Sequence, residues 1–296
     1  MKLSITVKNI LLTGIIALLV IASPSPLMAG TYSQNFNDFD NGTIDLQDGT
    51  IITGQAAQVI DGRLQLTRDG EGLGFSSFSI PPMEGSSKGF TVTFDYELND
   101  GPGSNDPADG FSFNYGNAEL GERGQAEEGM AGRPGVTENI SFEIDTWRNG
   151  DTEQGVNISG IHNGNDQDQY AFTNGVILND GQRVSGKMEI SWNPQSGAYF
   201  KTTGLVTNAN FNNIEIPNFD PSDDHTFIIS ARVGGANQDL FIDNISVTTE
   251  SSNNPVDPDD PVDPVDPDPI RNGELFISEF CARNDTILED EDKETS

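Results

Sequence analysis

Phe90-Thr91-Val92-Thr93-Phe94-Asp95-Tyr96-Glu97-Leu98 alternates without a break. Phe90, Val92, Phe94, Tyr96 and Leu98 take one face, and the polar residues take the other. A period of two marks a strand with one buried side. The same period recurs on both flanks. Val59-Ile60 and Leu64-Gln65-Leu66 enclose Asp61-Gly62, a short hairpin signal. Phe111, Phe113 and Tyr115 alternate, as do Ile140, Phe142 and Ile144, then Met188, Ile190 and Trp192. Near the end of the region, Ile242, Asn244 and Ser246 stand against Phe241, Asp243, Ile245 and Val247. No stretch of comparable length sustains a 3.6-residue period, and no internal repeat is visible. Residues 34–249 therefore read as all-β, one large antiparallel sandwich or barrel.

The whole chain has 296 residues, which bounds it at about two domains. Its 15 Lys+Arg face 47 Asp+Glu, a net charge of −32. That balance excludes a nucleic-acid partner, since phosphate backbones need a basic face. It equally disfavours adhesion to anionic lipid. The 32 glycines and 17 phenylalanines suit strands and turns better than helices. The one cysteine, Cys281, lies near the C-terminus, so no intrachain disulfide staples the fold.

Residues 1–29 read as a secretory signal peptide. Lys2 and Lys8 form a positive start, Ile10 to Ala22 an apolar run, and Leu27-Met28-Ala29 the cleavage site. The run is too short for a comfortable membrane span, and no later segment is apolar enough for one. The mature chain is thus expected outside the cytoplasm, secreted or on the cell surface. Residues 30–249 hold 32 acids and 10 bases, whereas residues 250–296 hold 15 acids and 3 bases. This jump in acidity marks a boundary. Residues 250–271 contain the Pro/Asp run from Pro255 to Pro269. Prolines fix φ and carboxylates repel, so the run reads as a stiff spacer about 45 Å long at about 3.1 Å per residue.

One strand carries a chemical signal. In Ile140–Trp147, the apolar residues share one face and Ser141, Glu143, Asp145 and Trp147 the other. Glu143 and Asp145 then stand roughly 7 Å apart on one side. Burying both would need a counter-ion. Asn149-Gly150-Asp151 follows at once with more oxygen donors, and hard oxygen ligands in a tight acidic loop suit calcium.

Four stretches in order resemble the L-type (legume-type) lectin domain of the concanavalin A-like superfamily, a jelly-roll β-sandwich. They are Gly62-Arg63-Leu64-Gln65-Leu66-Thr67; the Phe90 strand followed by Ala108-Asp109-Gly110-Phe111-Ser112-Phe113; Ile140 to Asn149, which fits E-x-D-T-x-x-N; and Phe227 to Val247 with Gly234-Gly235-Ala236-Asn237-Gln238-Asp239. The resemblance implies a sugar site at Asp109 and Asn149, with Gly235, Ala236 and Asn237 in a specificity loop. It implies a metal loop at Glu143, Asp145, the Trp147 carbonyl and Asn149, with Asp151 placed to complete it. Glu153 and Gln154 occupy the region where the family has a histidine. Calcium is therefore the expected ion, and a transition metal is not.

The chemistry of such a site is simple. A carboxylate accepts from two sugar hydroxyls, while an Asn amide both donates and accepts. Calcium would fix the Asn beforehand and lower the entropy cost of binding. Trp147, Trp192, Tyr170 and Tyr199 are candidates to cover a sugar's apolar face, although the spacing of Trp192 reads as core. The acidic surface favours a neutral glycan or polysaccharide over polyanions. The same superfamily contains laminarinase-like glycoside hydrolases, which need a second glutamate shortly after E-x-D. None occurs here, so no catalytic residue is assigned. A structural or adhesion sandwich without a sugar site is the remaining alternative, because function belongs to the site and not the fold.

Residues 272–296 include Gly273-Glu274-Leu275-Phe276-Ile277-Ser278-Glu279-Phe280-Cys281 and Leu288-Glu289-Asp290-Glu291-Asp292. They resemble the opening of a lamin-tail domain, an immunoglobulin-like sandwich of about 100 residues. Too few residues follow to bury such a core. The expected architecture is thus a jelly-roll sandwich, a Pro/Asp linker and an incomplete immunoglobulin-like start.

Overall fold

The computed structural model describes residues 30–100, 107–125, 128–148, 154–164 and 167–250. The signal-peptide, linker and lamin-tail expectations fall on residues 1–29 and 251–296, outside the described residues. The chain divides into two units, Met1–Ser252 and Asn253–Ser296, and everything below concerns the first.

Fifteen strands form two antiparallel sheets, with no α-helix among the described residues. One sheet runs β13 (Asn210–Ile214), β12 (Gly197–Thr203), β11 (Arg183–Asn193), β6 (Phe90–Asn99), β15 (Asp239–Thr249), β4 (Arg63–Thr67), β3 (Gln58–Ile60). β1 (Thr31–Gln34) joins it by pairing with the far half of β15. The other runs β10 (Asp168–Asn174), β9 (Gly155–Ile161), β8 (Asn139–Asp145), β7 (Gly110–Gly116), β14 (Thr226–Val233), β5 (Gly74–Ile80), β2 (Ile51–Thr53).

The alternation of β6 holds: all five apolar residues are buried and point at the second sheet. They meet the alternating rings of β7 and β14. Phe90 lies 4.9 Å from Tyr115 and 5.2 Å from Phe227, both edge to face, and Tyr96 lies 5.4 Å from Phe111. Such contacts add to area burial by about 0.5–1.5 kcal/mol each. The Asp61-Gly62 hairpin forms with both residues at positive φ, as a two-residue turn between paired strands requires. Trp192 belongs to this core, against Phe90 and Phe219.

β15 departs from its expected alternation. Period two puts Ile242 and Ile245 on opposite faces, yet both are buried. A bulge between Asp243 and Ser246 resets the register against β6, with Asn244 at φ 50°. One extra residue switches the inward face, so Leu240 and Ile242 precede the bulge while Ile245 and Val247 follow it.

The second sheet is covered on its outer face as well. Every residue of β7 is buried. The outward side chains there are small and polar: Ser79, Ser112, Asn114, Ser141 and Ser230. Residues 117–125 and 128–138 lie across them. Gly121 N–H donates to Ser79 Oγ and Gly124 N–H to Ser230 Oγ, both at 3.0 Å. Met130, Ala118 and Val136 close over Ile161 and Ile228. Short serines let backbone approach backbone, and the loop amides satisfy the buried hydroxyls.

Gly129 is the tightest contact of this cover that involves a left-handed residue, at φ 54°. A Cβ there would sit 2.0 Å from Ser141 Oγ. Ser141 is held in place, donating to Asn114 Oδ1 and accepting from Asn139 Nδ2. We expect Gly129→Ala to cost about 2–3 kcal/mol, from overpacking plus positive-φ strain. A denaturant midpoint unchanged within error would contradict this packing.

Candidate functional site

The site is built where β7 begins. Gly110 pairs with Arg232 of β14 on one side and Asp145 of β8 on the other. At Gly110 a Cβ would lie 2.0 Å from the Ile144 carbonyl oxygen, at φ 120°, so only glycine fits between the strands. Asp109 precedes it, joined to Ala108 by a cis peptide bond. Its N–H donates to the Arg232 carbonyl at 3.0 Å, and its carbonyl accepts from Thr146 N–H at 3.2 Å. Gly234 approaches from the third side, its Cβ position 3.9 Å from Asp109 Oδ2. Segments near positions 109, 146 and 234 therefore meet at one edge of the sheet.

Asp109 is buried, with only 7% of the residue exposed. Its Oδ2 forms an ion pair with Arg232 Nε at 3.1 Å. Burial raises the carboxyl above its ordinary range; Arg232 opposes that, and nearby Glu128 adds to it. The Arg232 guanidinium also packs on Phe75, 5.4 Å from the ring centre, and Arg133 packs on the same ring at 4.8 Å. Arg133 further donates to the Gly124 carbonyl, tying the cover segment to this corner. Sequence reading did not find Arg232, Phe75 or Arg133. The available signal was a lone cation in the apolar run Phe227–Val233, at the position that alternation turns outward with Ile228 and Ser230.

The proposed metal loop is only partly described. Asn149 and Asp151 lie outside the described residues. Asp145 Oδ1 accepts from Trp147 N–H at 2.8 Å, a turn that starts the loop. Gln154 closes it: its Nε2 donates to the Thr146 carbonyl at 2.5 Å and its Oε1 accepts from Ile177 N–H at 2.8 Å. Thr146 is therefore bonded both to Asp109 and to Gln154. Glu143 shares the face of Asp145, as alternation requires, but its carboxylate is committed elsewhere. It is fully buried and accepts from Asn157 Nδ2 and Ser159 Oγ at 2.5 Å and Gln167 Nε2 at 2.6 Å. Burial pushes its carboxyl up to about 8, against the pull of the Ser159 and Gln167 bonds. Among the described residues no group of three His, Cys, Asp or Glu side chains could hold a metal ion.

The Gly-rich loop divides between openness and bracing. Nothing lies within 4 Å of a Cβ placed on Gly235. Gly234 N–H donates to the Ala236 carbonyl at 2.9 Å, which folds the tip. Asn237 is turned inward: its Oδ1 accepts from Gly70 N–H at 2.7 Å and its Nδ2 donates to the Glu71 carbonyl at 3.2 Å. Asp239 accepts from Asp69 N–H, Gln65 Nε2 and Asn99 Nδ2. These bonds lace residues 69–71 to residues 237–239. Of the four aromatics considered, Trp147 stands at the site, next to Asp145. Trp192 pairs with Phe90, nine residues along β6 from Asn99, or about 30 Å away. Tyr170 lies on β10, and Tyr199 beside Glu189 on β12.

No protein-family model matches this chain, and no curated protein sequence matches it. Solved structures do. Peanut lectin, in a complex with a 9mer peptide, aligns at TM-score 0.53 and 17% identity, over 74% of this chain and 97% of that one. A seed lectin of Lotus tetragonolobus aligns at TM-score 0.54 and 15% identity, over 74% and 97%. The exoplasmic/lumenal domain of VIP36, in a Ca2+/Man-bound form, aligns at TM-score 0.51 and 12% identity, over 70% and 86%. At such identities the likeness is one of fold, and on that ground the two sheets of this chain form a concanavalin A-like jelly-roll sandwich of the kind seen in legume lectins.

Proposed function

We propose that residues 30–249 are a non-catalytic carbohydrate-binding module, lectin-like in its chemistry, carried by an exported multidomain protein. The observation that carries the reading is the junction at Asp109. Its main chain is bonded both to the start of the 147–153 loop and to the strand leading into Gly234–Ala236. A neutral sugar offers adjacent hydroxyls, and a carboxylate can accept from two of them. Because the backbone already fixes Asp109, little conformational freedom remains to be lost on binding. Arg232 holds the carboxylate side-on and offsets part of its desolvation. The Cβ side of Gly235 faces open space, with no atom within 4 Å, so a ring can approach the loop tip there. Asn237 acts through the loop it braces.

Calcium fits this reading as a structural ion. Asp145, the Trp147 carbonyl, Asn149 and Asp151 form an all-oxygen donor set, the chemistry that calcium takes. Asp145 starts a turn there, and Gln154 pins its far end, as a closed chelating loop needs. Glu143 stays outside that set, since three donors already hold its carboxylate. When bound, the ion would supply charge neutralisation and rigidity at the loop. The same burial argues against hydrolysis. Glu143 is sealed under the cover segment and cannot reach a glycosidic bond, so the pair of carboxylates that a hydrolase requires is not assembled around it. The sugar, its neutrality and the export route are parts of the same proposal, drawn from the acidic surface and the first 29 residues.

Two measurements test it. Asp109→Asn should weaken retention on a glycan array at least tenfold, while the melting temperature moves by only a few degrees; full retention by the variant would overturn the site. Adding calcium should raise the melting temperature by mass action, by about 2.7 kcal/mol of stability at a hundred times Kd, reversibly with a chelator. Asp145→Ala should abolish that shift. A wild-type melt indifferent to calcium would remove the ion from the scheme.

A further inference from the structure

A row of contacts leads away from Asp109 across the sheet. Asp109 Oδ2 touches Arg232 Nε, and the Arg232 guanidinium rests on Phe75. Phe75 pairs with Arg232, and Gly74 pairs with Val233. Carried one residue past the Gly110–Arg232 pair, the register sets Asp109, Val233 and Gly74 side by side on three neighbouring strands. Two strand spacings separate Asp109 from Gly74, about 10 Å. At the end of this row stands Leu73, 68% exposed, in the bend that opens β5.

Leu73 is unusual in its setting. Among the described residues it is the most exposed of the large hydrophobics, on a chain of net charge −32. Gly70 and Gly72 beside it have nothing within 4 Å of a Cβ, so the surface around the leucine is open. The loop carrying it is nevertheless braced. Asn237 and Asp239 bind the backbone of residues 69–71, so the loop of Leu73 and the loop of Gly235 are laced together. A single exposed leucine is ordinary on a protein surface; what sets this one apart is its braced loop, laced to the Gly235 loop beside the Asp109 site.

We propose that Leu73, with the neighbouring Phe75, forms a second subsite for the next residue of a neutral oligosaccharide, taking that residue's C–H face or a methyl substituent. The proposal rests on the carbohydrate reading of Asp109 and deepens it. A pyranose is polar at its rim and apolar on its C–H face, so one ring can be gripped through hydroxyls at Asp109 while its neighbour lies against an aliphatic side chain. The ligand class is accordingly a disaccharide or longer, and Leu73 is a specificity-determining residue.

The test begins with an array that carries each neutral sugar both as a monosaccharide and as the terminal residue of disaccharides. The best pair is then titrated calorimetrically. Wild type should bind the disaccharide about fivefold more tightly, the worth of covering part of a leucine. Leu73→Ser should erase that gain and leave monosaccharide affinity unchanged, whereas Leu73→Met should keep it. The exposed position makes misfolding a small risk, and the melting temperature checks it. A disaccharide gain that survives Leu73→Ser, or no gain in wild type, overturns the subsite while leaving Asp109 standing. Retention of no sugar at all by wild type would defeat the carbohydrate reading itself.

Discussion

The main chain of Asp109 is held from both sides, by the Arg232 carbonyl and by Thr146 N–H, and the rest of the site depends on these two hydrogen bonds. It is possible because Gly110 lets β7 run close enough to β8 that a single methyl would collide with the Ile144 carbonyl. Loops are usually the mobile part of a β-sandwich. Here the critical carboxylate is instead an extension of the sheet, with the precision of a ladder position. Two neighbouring segments are tied to it, Thr146 and Gln154 on one side and Arg232 with the Gly234 tip on the other. Function on this fold is then a matter of what the loops present, while the position of Asp109 is set by strand pairing.

The molecule has two interiors of different chemistry. Between the sheets lies a dry layer of aromatic and aliphatic side chains, non-directional in its energetics. Between the second sheet and residues 117–138 lies a layer of serine, asparagine and glycine, where hydrogen bonds set the arrangement. A polar layer is stable only when each group finds a partner, and such a layer fixes a single geometry in return. Glu143 is its extreme member: a buried carboxyl answered by Asn157, Ser159 and Gln167. Its surroundings explain why it does not serve the loop two residues later.

The strands were legible because an apolar inner face writes a period of two into the sequence: in β6 the other face meets solvent, and in β8 it is buried but polar. The bulge in β15 was not, since one inserted residue looks the same as continued alternation until the partner strand is known; Asn244 carries the only local hint, as a residue tolerant of positive φ. The cover segment was also hidden. Its glycines fit against serines on other strands, a relation between distant positions that no window of sequence contains. At the site, Asp109 was readable from its place before a strand and its resemblance to a lectin motif. Arg232 was masked by the apolar residues around it. Asn237 was placed in a specificity loop by the lectin resemblance, and the structure shows its side-chain amide bonded to the backbone of residues 70 and 71.

Charge gives the last constraint. Asp109 sits in a protein already far on the acidic side, with Glu128 close by. Burial in that field raises the carboxyl and so favours its protonated form, which accepts from fewer hydroxyls than the carboxylate does. Arg232 counters this at 3.1 Å, and Phe75 supports the guanidinium from beneath. Replacing Arg232 by a neutral residue would leave every backbone bond of Asp109 in place and yet change the state of its carboxyl. Position and charge of the key acceptor thus answer to different parts of the fold: strand pairing fixes the main chain of Asp109, while burial raises its carboxyl and one cation on the neighbouring strand opposes that rise.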